Sequence, residues 1–347
     1  MKKNRSLILV LFILYCYSCH KKYDAVEDQP ANVFVLGEEN GATGLNYIYW
    51  KNSDPVNLPD DSYHVYSIAV SGNDVYVAGQ NWYYRATYWK NGIAVPLSKD
   101  SMIGRAFSIV VSGNDVYVAG DDVVMDSIAP YGGAPFIAKY WKNGMPVSLT
   151  DGSTTARATS IVISQNNVYV AGWESDENGT NYIAKYWKNG IPVNLTDGSR
   201  DTYANSIAVS GNDVYVAGIE QSVTYPSYEL GKYWKNGSPV SLTDGSIRSF
   251  ANSIAVSGND VYVAGGKFNG TKIIATYWKN GSPVPLTDGS KASMANSIAL
   301  AGNDVYVAGW EFNGTRSIAK YWKNGNPVNL SDGSNDAYAN SIFLTPK

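Results

Sequence analysis

An arginine side chain can hold a carboxylate or a sulfate through two parallel, charge-assisted hydrogen bonds. Two arginines, Arg105 and Arg157, occupy equivalent places in the sequence, each one residue ahead of an alanine, and His64 stands at the same place upstream. Further along, that position carries Tyr203, Phe250, Met294 and Tyr338. Three basic or titratable groups are therefore followed by four apolar or aromatic ones. The chemistry this allows is capture of an anion, with a sugar or aromatic face laid against Tyr203, Phe250 or Tyr338. The position two residues on varies in parallel: Tyr66, Phe107 and Thr159, then Asn205, Asn252, Asn296 and Asn340. A second variable set contributes Trp82, Trp173 and Trp310, which stand outside any regular pattern beside amide and acidic groups. Off-pattern Trp suits a sugar or peptide face, or the plainer task of capping a rim.

Other chemistry is scarce. The chain holds only two histidines, His20 and His64, so a His-based metal site has no ligands and a Ser-His-Asp triad could be centred only on His64. No cofactor motif is present. The acidic run from Trp173 to Asn178 lacks the spacing of a calcium loop. Glu174, Asp176, Glu220, Glu229 and Glu311 could supply a carboxylate pair for glycoside cleavage, but sequence does not set their separation.

The elements that must position these residues come from a repeat. Tyr-Trp-Lys or a close variant places Trp50, Trp89, Trp141, Trp187, Trp234, Trp278 and Trp322 at intervals of 39 to 52 residues. A Val-aromatic-Val core recurs seven times beside it, and such periods mean a solenoid, propeller or array. Each unit reads as four short strands. In the fifth, residues 206–210 and 213–217 flank Gly211-Asn212, while 232–235 and 238–242 flank Asn236-Gly237. Both pairs are two-residue hairpin signals. Pro239 lacks a ladder donor and belongs on an edge strand. Nothing in the unit has helical periodicity. The strands are apolar on both faces, so each sheet must be covered on both sides, as radially stacked sheets are. The first unit lacks its opening strand and the last ends on a spare one, residues 341–344, which would close a ring. The expectation is an all-β, seven-bladed β-propeller over residues 31–347. The Tyr-Trp pairs would then pack between blades. Asp151, Asp197, Asp244, Asp288 and Asp332 recur in identical Asp-Gly turns.

The order of elements, an apolar strand, a tight turn, a Val-Tyr-Val strand ending in Gly, then a Tyr strand with Trp, resembles the kelch type of propeller repeat over residues 31–345, and loosely the HAF-type repeats of bacterial extracellular proteins. Such architecture hosts enzymes and binding proteins alike.

Upstream, Lys2, Lys3 and Arg5 precede an apolar run from Leu7 to Tyr17, too short to span a bilayer, which reads as a signal peptide over residues 1–18. Cys19 sits where a lipoprotein signal would be cut and lipidated, and residues 19–30 read as a tether resembling those of Bacteroidetes lipoproteins; an ordinary secretory signal is the alternative. Cys16 and Cys19 are the only cysteines, so the mature protein has no disulfide and relies on its core. Without the leader it carries 24 basic and 30 acidic residues, a formal −6, which argues against nucleic acid. These features point to a monomeric module on the outer membrane or cell surface, or else secreted or periplasmic. It would bind an extracellular glycan or protein. The rivals are a polysaccharide lyase or glycoside hydrolase working at the channel mouth, against which the scarcity of acid–base residues weighs, and a structural surface protein without a small ligand.

Overall fold

The computed structural model describes residues 31–41, 44–124, 134–223 and 228–347. Among them are 28 strands and no helix, arranged as seven four-stranded antiparallel sheets around a ring. Blade 1 takes its inner strand from the C-terminus, Ala337–Pro346, and its other three from residues 31–57. Blades 2 to 7 run through residues 62–96, 102–148, 156–194, 202–241, 249–285 and 293–329 in chain order. The ring is closed by the antiparallel pairing of Ala337–Pro346 with Ala31–Gly41, in which Phe34 faces Phe343. This is the closure expected from the spare strand. The signal-peptide, lipidation and tether assignments on residues 1–30 lie outside the described residues. No helix long and apolar enough to cross a membrane occurs among the described residues.

Turn chemistry sets each blade. Asn236 and Gly237 both have positive φ (49° and 84°), the I′ geometry that matches strand twist. Gly211 alone is positive in the inner hairpin, with φ 57°, as a Gly-first II′ turn requires. The short outer strands carry the prolines, and Pro239 is exposed there. The glycine ending each Val-Ala-Gly strand has a different reason. A Cβ on Gly172 would lie 1.9 Å from the Arg157 carbonyl oxygen, so the second strand approaches the inner one only because that residue has no side chain.

The seven Tyr-Trp-Lys tryptophans are 0–2% exposed and fill the gaps between blades. Trp187 of blade 4 packs on Tyr117, Ala119 and Leu149 of blade 3, and Trp141 of blade 3 packs on Tyr76, Ala78 and Leu97 of blade 2. Inter-blade packing is thus their role, as their recurrence implies.

Two hydrogen-bond belts join the inner strands. In the first, a serine hydroxyl accepts the backbone N–H of an isoleucine in the next blade, at 3.2–3.4 Å. The donors are Ile68, Ile109, Ile161, Ile207, Ile254, Ile298 and Ile342; Ser341 serves Ile68 and Ser297 serves Ile342, so the belt passes through the closure. It satisfies donors that an inner edge strand would leave unpaired. In the second, the Asn205, Asn252 and Asn296 amides and the Thr159 hydroxyl donate to Ala carbonyls of the following blade at 2.7–3.0 Å. These donors are the unpaired residues of a bulge that interrupts every inner strand. Tyr66 and Phe107 occupy the bulge in blades 2 and 3, and the second belt is interrupted there.

Candidate binding site at the channel mouth

In each blade the loop between second and third strands and the segment entering that blade's inner strand meet on one face of the ring. Bonds such as Ser175 N–H to the Thr155 carbonyl and Gln221 N–H to the Asp201 carbonyl fasten them together. The inner strand begins at this face, and its first residues form the mouth of the channel. The opposite face carries the Asn-Gly and Gly-Asn hairpins.

At the mouth Arg105 and Arg157 converge on one carboxylate. Arg105 donates from Nε and Nη2 to Asp121 Oδ1 and Oδ2, both at 3.0 Å. Arg157, on the next blade, donates from Nε to Asp121 Oδ2, also at 3.0 Å. Asp121 is fully buried, whereas the arginine side chains keep 22% and 28% exposure. Burial pushes the Asp121 carboxyl up from the ordinary carboxylate range and the two guanidiniums pull it back. A protonated Asp121 would leave two permanently charged guanidiniums without a counter-ion, so the group is a carboxylate at neutral pH. Two cations then share one anion, and a full positive charge remains. The Nη groups of Arg157 have no hydrogen-bond partner among the described residues. Phe107 lies between the two guanidiniums, 5.5 Å from Arg105 and 4.9 Å from Arg157; Phe136 faces Arg105 at 4.5 Å and Trp173 faces Arg157 at 5.1 Å.

An aromatic run continues into blades 1 and 2. The Phe107 ring lies 5.0 Å from Tyr66, Tyr66 stacks beside His64, and His64 is 4.4 Å from Tyr63. The Tyr47 hydroxyl lies 3.3 Å from His64 Nδ1. Burial lowers the His64 pKa, which keeps the imidazole neutral at pH 7. Burial also raises the phenols of Tyr47, Tyr66 and Tyr203, the last to about 12, so all three remain hydroxyl donors. Glu38 borders the same cluster, its carboxyl raised by burial.

Of the residues nominated from sequence, His64, Arg105 and Arg157 come together in this sector. Tyr203 extends it: the ring stands 5.6 Å from Trp173 and 5.3 Å from Tyr182. Trp173 is 8% exposed, a wall behind Arg157 and not an open platform. Trp82 is 57% exposed and lies 5.0 Å from Tyr63, so it extends the aromatic run onto the outer surface. Tyr338 and Trp310 form a separate edge-to-face pair between blades 7 and 1. Phe250 sits under Arg248 on blade 6, apart from the arginine pair. The loop-face carboxylates are largely spent on ion pairs: Glu174 with Lys185, Glu220 with Lys232 and Arg200, Glu229 with Arg248, Glu311 with Lys320. Asp151 accepts the Ser153 N–H at 2.9 Å in the turn expected of it. No His, Cys, Asp and Glu cluster suited to a metal occurs among the described residues.

Sequence reasoning passed over Asp121, although its register was readable. The residue after Val-Ala-Gly, or after Val-Leu-Gly in blade 1, is Glu38, Gln80 and Asp121 in blades 1 to 3, and Trp173, Ile219, Gly266 and Trp310 in blades 4 to 7. It pairs across the ladder with the mouth residue, Arg105 with Asp121 and His64 with Gln80.

With this geometry in hand, comparison with known proteins gives a repeat and a fold. The LVIVD repeat family matches residues 64–83, 103–126, 201–222 and 250–270, the inner hairpins of blades 2, 3, 5 and 6. These segments are LVIVD-like. No curated protein sequence matches the chain. Among solved structures, the β-propeller domain of the Trilobed protease from Pyrococcus furiosus, described as having an open velcro topology, is similar at a TM-score of 0.53 and 10% identity, over 87% of this chain and 92% of that one. Pyrococcus horikoshii acylaminoacyl peptidase is similar at a TM-score of 0.54 and 11% identity, over 88% of this chain and 52% of that one. At such identity the likeness is one of fold.

Proposed function

We propose that this protein is a binding module whose channel mouth takes the anionic group of an extracellular glycan or protein. It would work from the cell envelope, held by a lipid on Cys19. The observation that carries this reading is the shared carboxylate: Arg105 and Arg157 divide one Asp121, leaving a positive charge and unengaged N–H groups beside Tyr66, Phe107 and His64. A carboxylate or sulfate accepts bonds from Arg157, and a sugar or aromatic ring lies along the rings that lead out to Trp82. A ligand lacks sevenfold symmetry, and the asymmetry of the mouth lies in this sector.

The test is an array of carboxylated and sulfated glycans probed with the chain from residue 20 onward, with released product followed in the same wells. Arg157→Gln removes the excess charge and leaves the Arg105–Asp121 pair whole. It should weaken binding about 10- to 100-fold, the size of one or two charge-assisted hydrogen bonds. Unchanged affinity of Arg157→Gln for every bound glycan and protein would end this reading.

The Tyr47–His64 contact favours a second reading, that of a polysaccharide lyase. A neutral imidazole could take the proton next to a uronate carboxylate that Arg157 neutralises, with a tyrosine hydroxyl protonating the leaving oxygen. Appearance of an unsaturated uronate in the array wells, lost with His64→Ala, would put this reading first; binding without product retains the module.

A further inference from the structure

A second anion site lies on the rim of blade 6, made by a reversal of charge. In blades 3, 4, 5 and 7 the residue two after Val-Ala-Gly is acidic, and the residue two before the Trp of the third strand is lysine. The pairs are Lys139–Asp122, Lys185–Glu174, Lys232–Glu220 and Lys320–Glu311. The lysine stems are largely buried and fill the space beneath the loop face. Blade 6 changes both members. The acid is replaced by Lys267 and the lysine by Thr276, whose hydroxyl turns back onto the Ile274 carbonyl at 3.0 Å. Blade 2 also lacks the pair, but there the acid is replaced by Asn81, whose Oδ1 accepts the N–H groups of Tyr83 and Arg85.

Losing the lysine stem opens a groove of about 960 Å³, lined by Tyr228, Ile247, Lys267, Phe268, Ile274 and Thr276. That volume is in the range of small-molecule sites. Its charges are already sorted. Arg248 pairs with Glu229 at 2.6 Å, Lys272 donates to the Ser290 carbonyl, and Asp244 and Asp288 are held in their serine turns. Lys267 has no ion pair or hydrogen bond among the described residues, and its field helps hold the Asp244 carboxyl low.

We infer that this groove is a binding site, separate from the channel mouth, for an amphiphilic anion: a carboxylate, sulfate or phosphate joined to an apolar or aromatic body. The ligand's oxyanion meets Lys267 and restores the ion pair of the neighbouring blades in reversed sense, with the protein now supplying the cation. The apolar body takes the volume that a lysine stem fills elsewhere, against Phe268 and Ile274.

The experiment is a fluorescence titration of the folded protein with anilinonaphthalene sulfonate, which joins a sulfonate to an aromatic body. Lys267→Glu combined with Thr276→Lys rebuilds the pair that blades 4 and 7 already tolerate, so the variant should fold with an undiminished thermal midpoint. Its affinity for the probe should fall at least about tenfold, the effect of losing one charge-assisted contact. Lys267→Met keeps the groove but removes the charge; it should still take an uncharged naphthalene and lose its preference for the sulfonate. Wild-type protein that does not bind the probe, a double variant that binds it equally well, or a Lys267→Met variant with an unchanged sulfonate preference would each overturn the assignment.

Discussion

On the hairpin face, Asp213 takes hydrogen bonds from Lys235 and Asn236, and Lys235 sits over the ring of Tyr215. Asp74, Asp115, Asp260 and Asp304 repeat the arrangement in blades 2, 3, 6 and 7. On the loop face the loops differ in length and sequence, and although blades 3, 4, 5 and 7 keep an acid–lysine pair, blade 6 replaces both of its members and blade 3 alone has two arginines on one carboxylate. The difference follows from what each end must do. Two-residue turns tolerate few sequences, so the hairpin end is fixed by backbone geometry. Longer loops carry no such constraint, and binding residues can accumulate there. Repetition marks the end that holds the ring together, and departure from repetition marks the end where both proposed sites lie.

The sharpest way to break this contrast is through two aspartates. Asp121→Ala leaves Arg105 and Arg157 facing each other in a site that fully buries their shared counter-ion. Breaking a buried pair costs about 3–5 kcal/mol; since both arginines keep some exposure, the lower end, about 3 kcal/mol, is expected in urea denaturation. Asp213→Ala also removes three side-chain bonds, from Lys235, Asn236 and the Tyr215 hydroxyl, but from an exposed carboxylate, and its denaturation midpoint should move far less. Equal shifts would mean that the mouth pair is no more buried in effect than the hairpin pair. A smaller loss is expected within the second belt. Asn252→Ala removes one inter-blade bond to the Ala295 carbonyl and should cost about 1 kcal/mol, whereas Asn340→Ala, at a bulge where the side chain makes no such bond among the described residues, should cost less.

Much of the ring was legible because its determinants are local. Asn-Gly turns, edge prolines, the buried tryptophans and the missing first strand each speak through a few adjacent residues, and the structure places all of them as read. The mouth was legible in membership but not in partnership. Arg105 and Arg157 differ from their counterparts in the sequence, yet nothing local shows that Arg157 reaches back across a blade boundary to Asp121. Trp173 departs from the pattern, which left a ligand face and a rim cap equally open; its burial depends on Arg157, Tyr182 and Tyr203, which come from other strands. The bulge was hidden for a similar reason. A residue left unpaired in a ladder has no signature of its own, and the Asn, Thr, Tyr and Phe found there differ in whether they join blades or line the channel.

The two faces should also separate along the pH axis, with the smallest effect of the series. Hydrogen bonds from the paired Lys and Asn hold the carboxyls of Asp74, Asp115, Asp213, Asp260 and Asp304 below their usual range. A depressed folded pKa means that the stability these groups add is present above the unfolded value near 3.8 and is lost as pH falls through the folded one. His64 follows the same sign at higher pH. Burial lowers its folded pKa below 6.5, so the stability of the neutral form is complete above 6.5 and declines as pH falls toward the folded value. The thermal midpoint of the wild type should therefore step down twice on acidification. A slight first step, beginning below pH 6.5, belongs to the loop face, and a larger one, below about pH 4, belongs to the repeated aspartates. His64→Gln should erase the first and leave the second. If the first step survives that substitution, the titrating group lies elsewhere, and the neutral imidazole beside Tyr47 loses its support as part of the mouth.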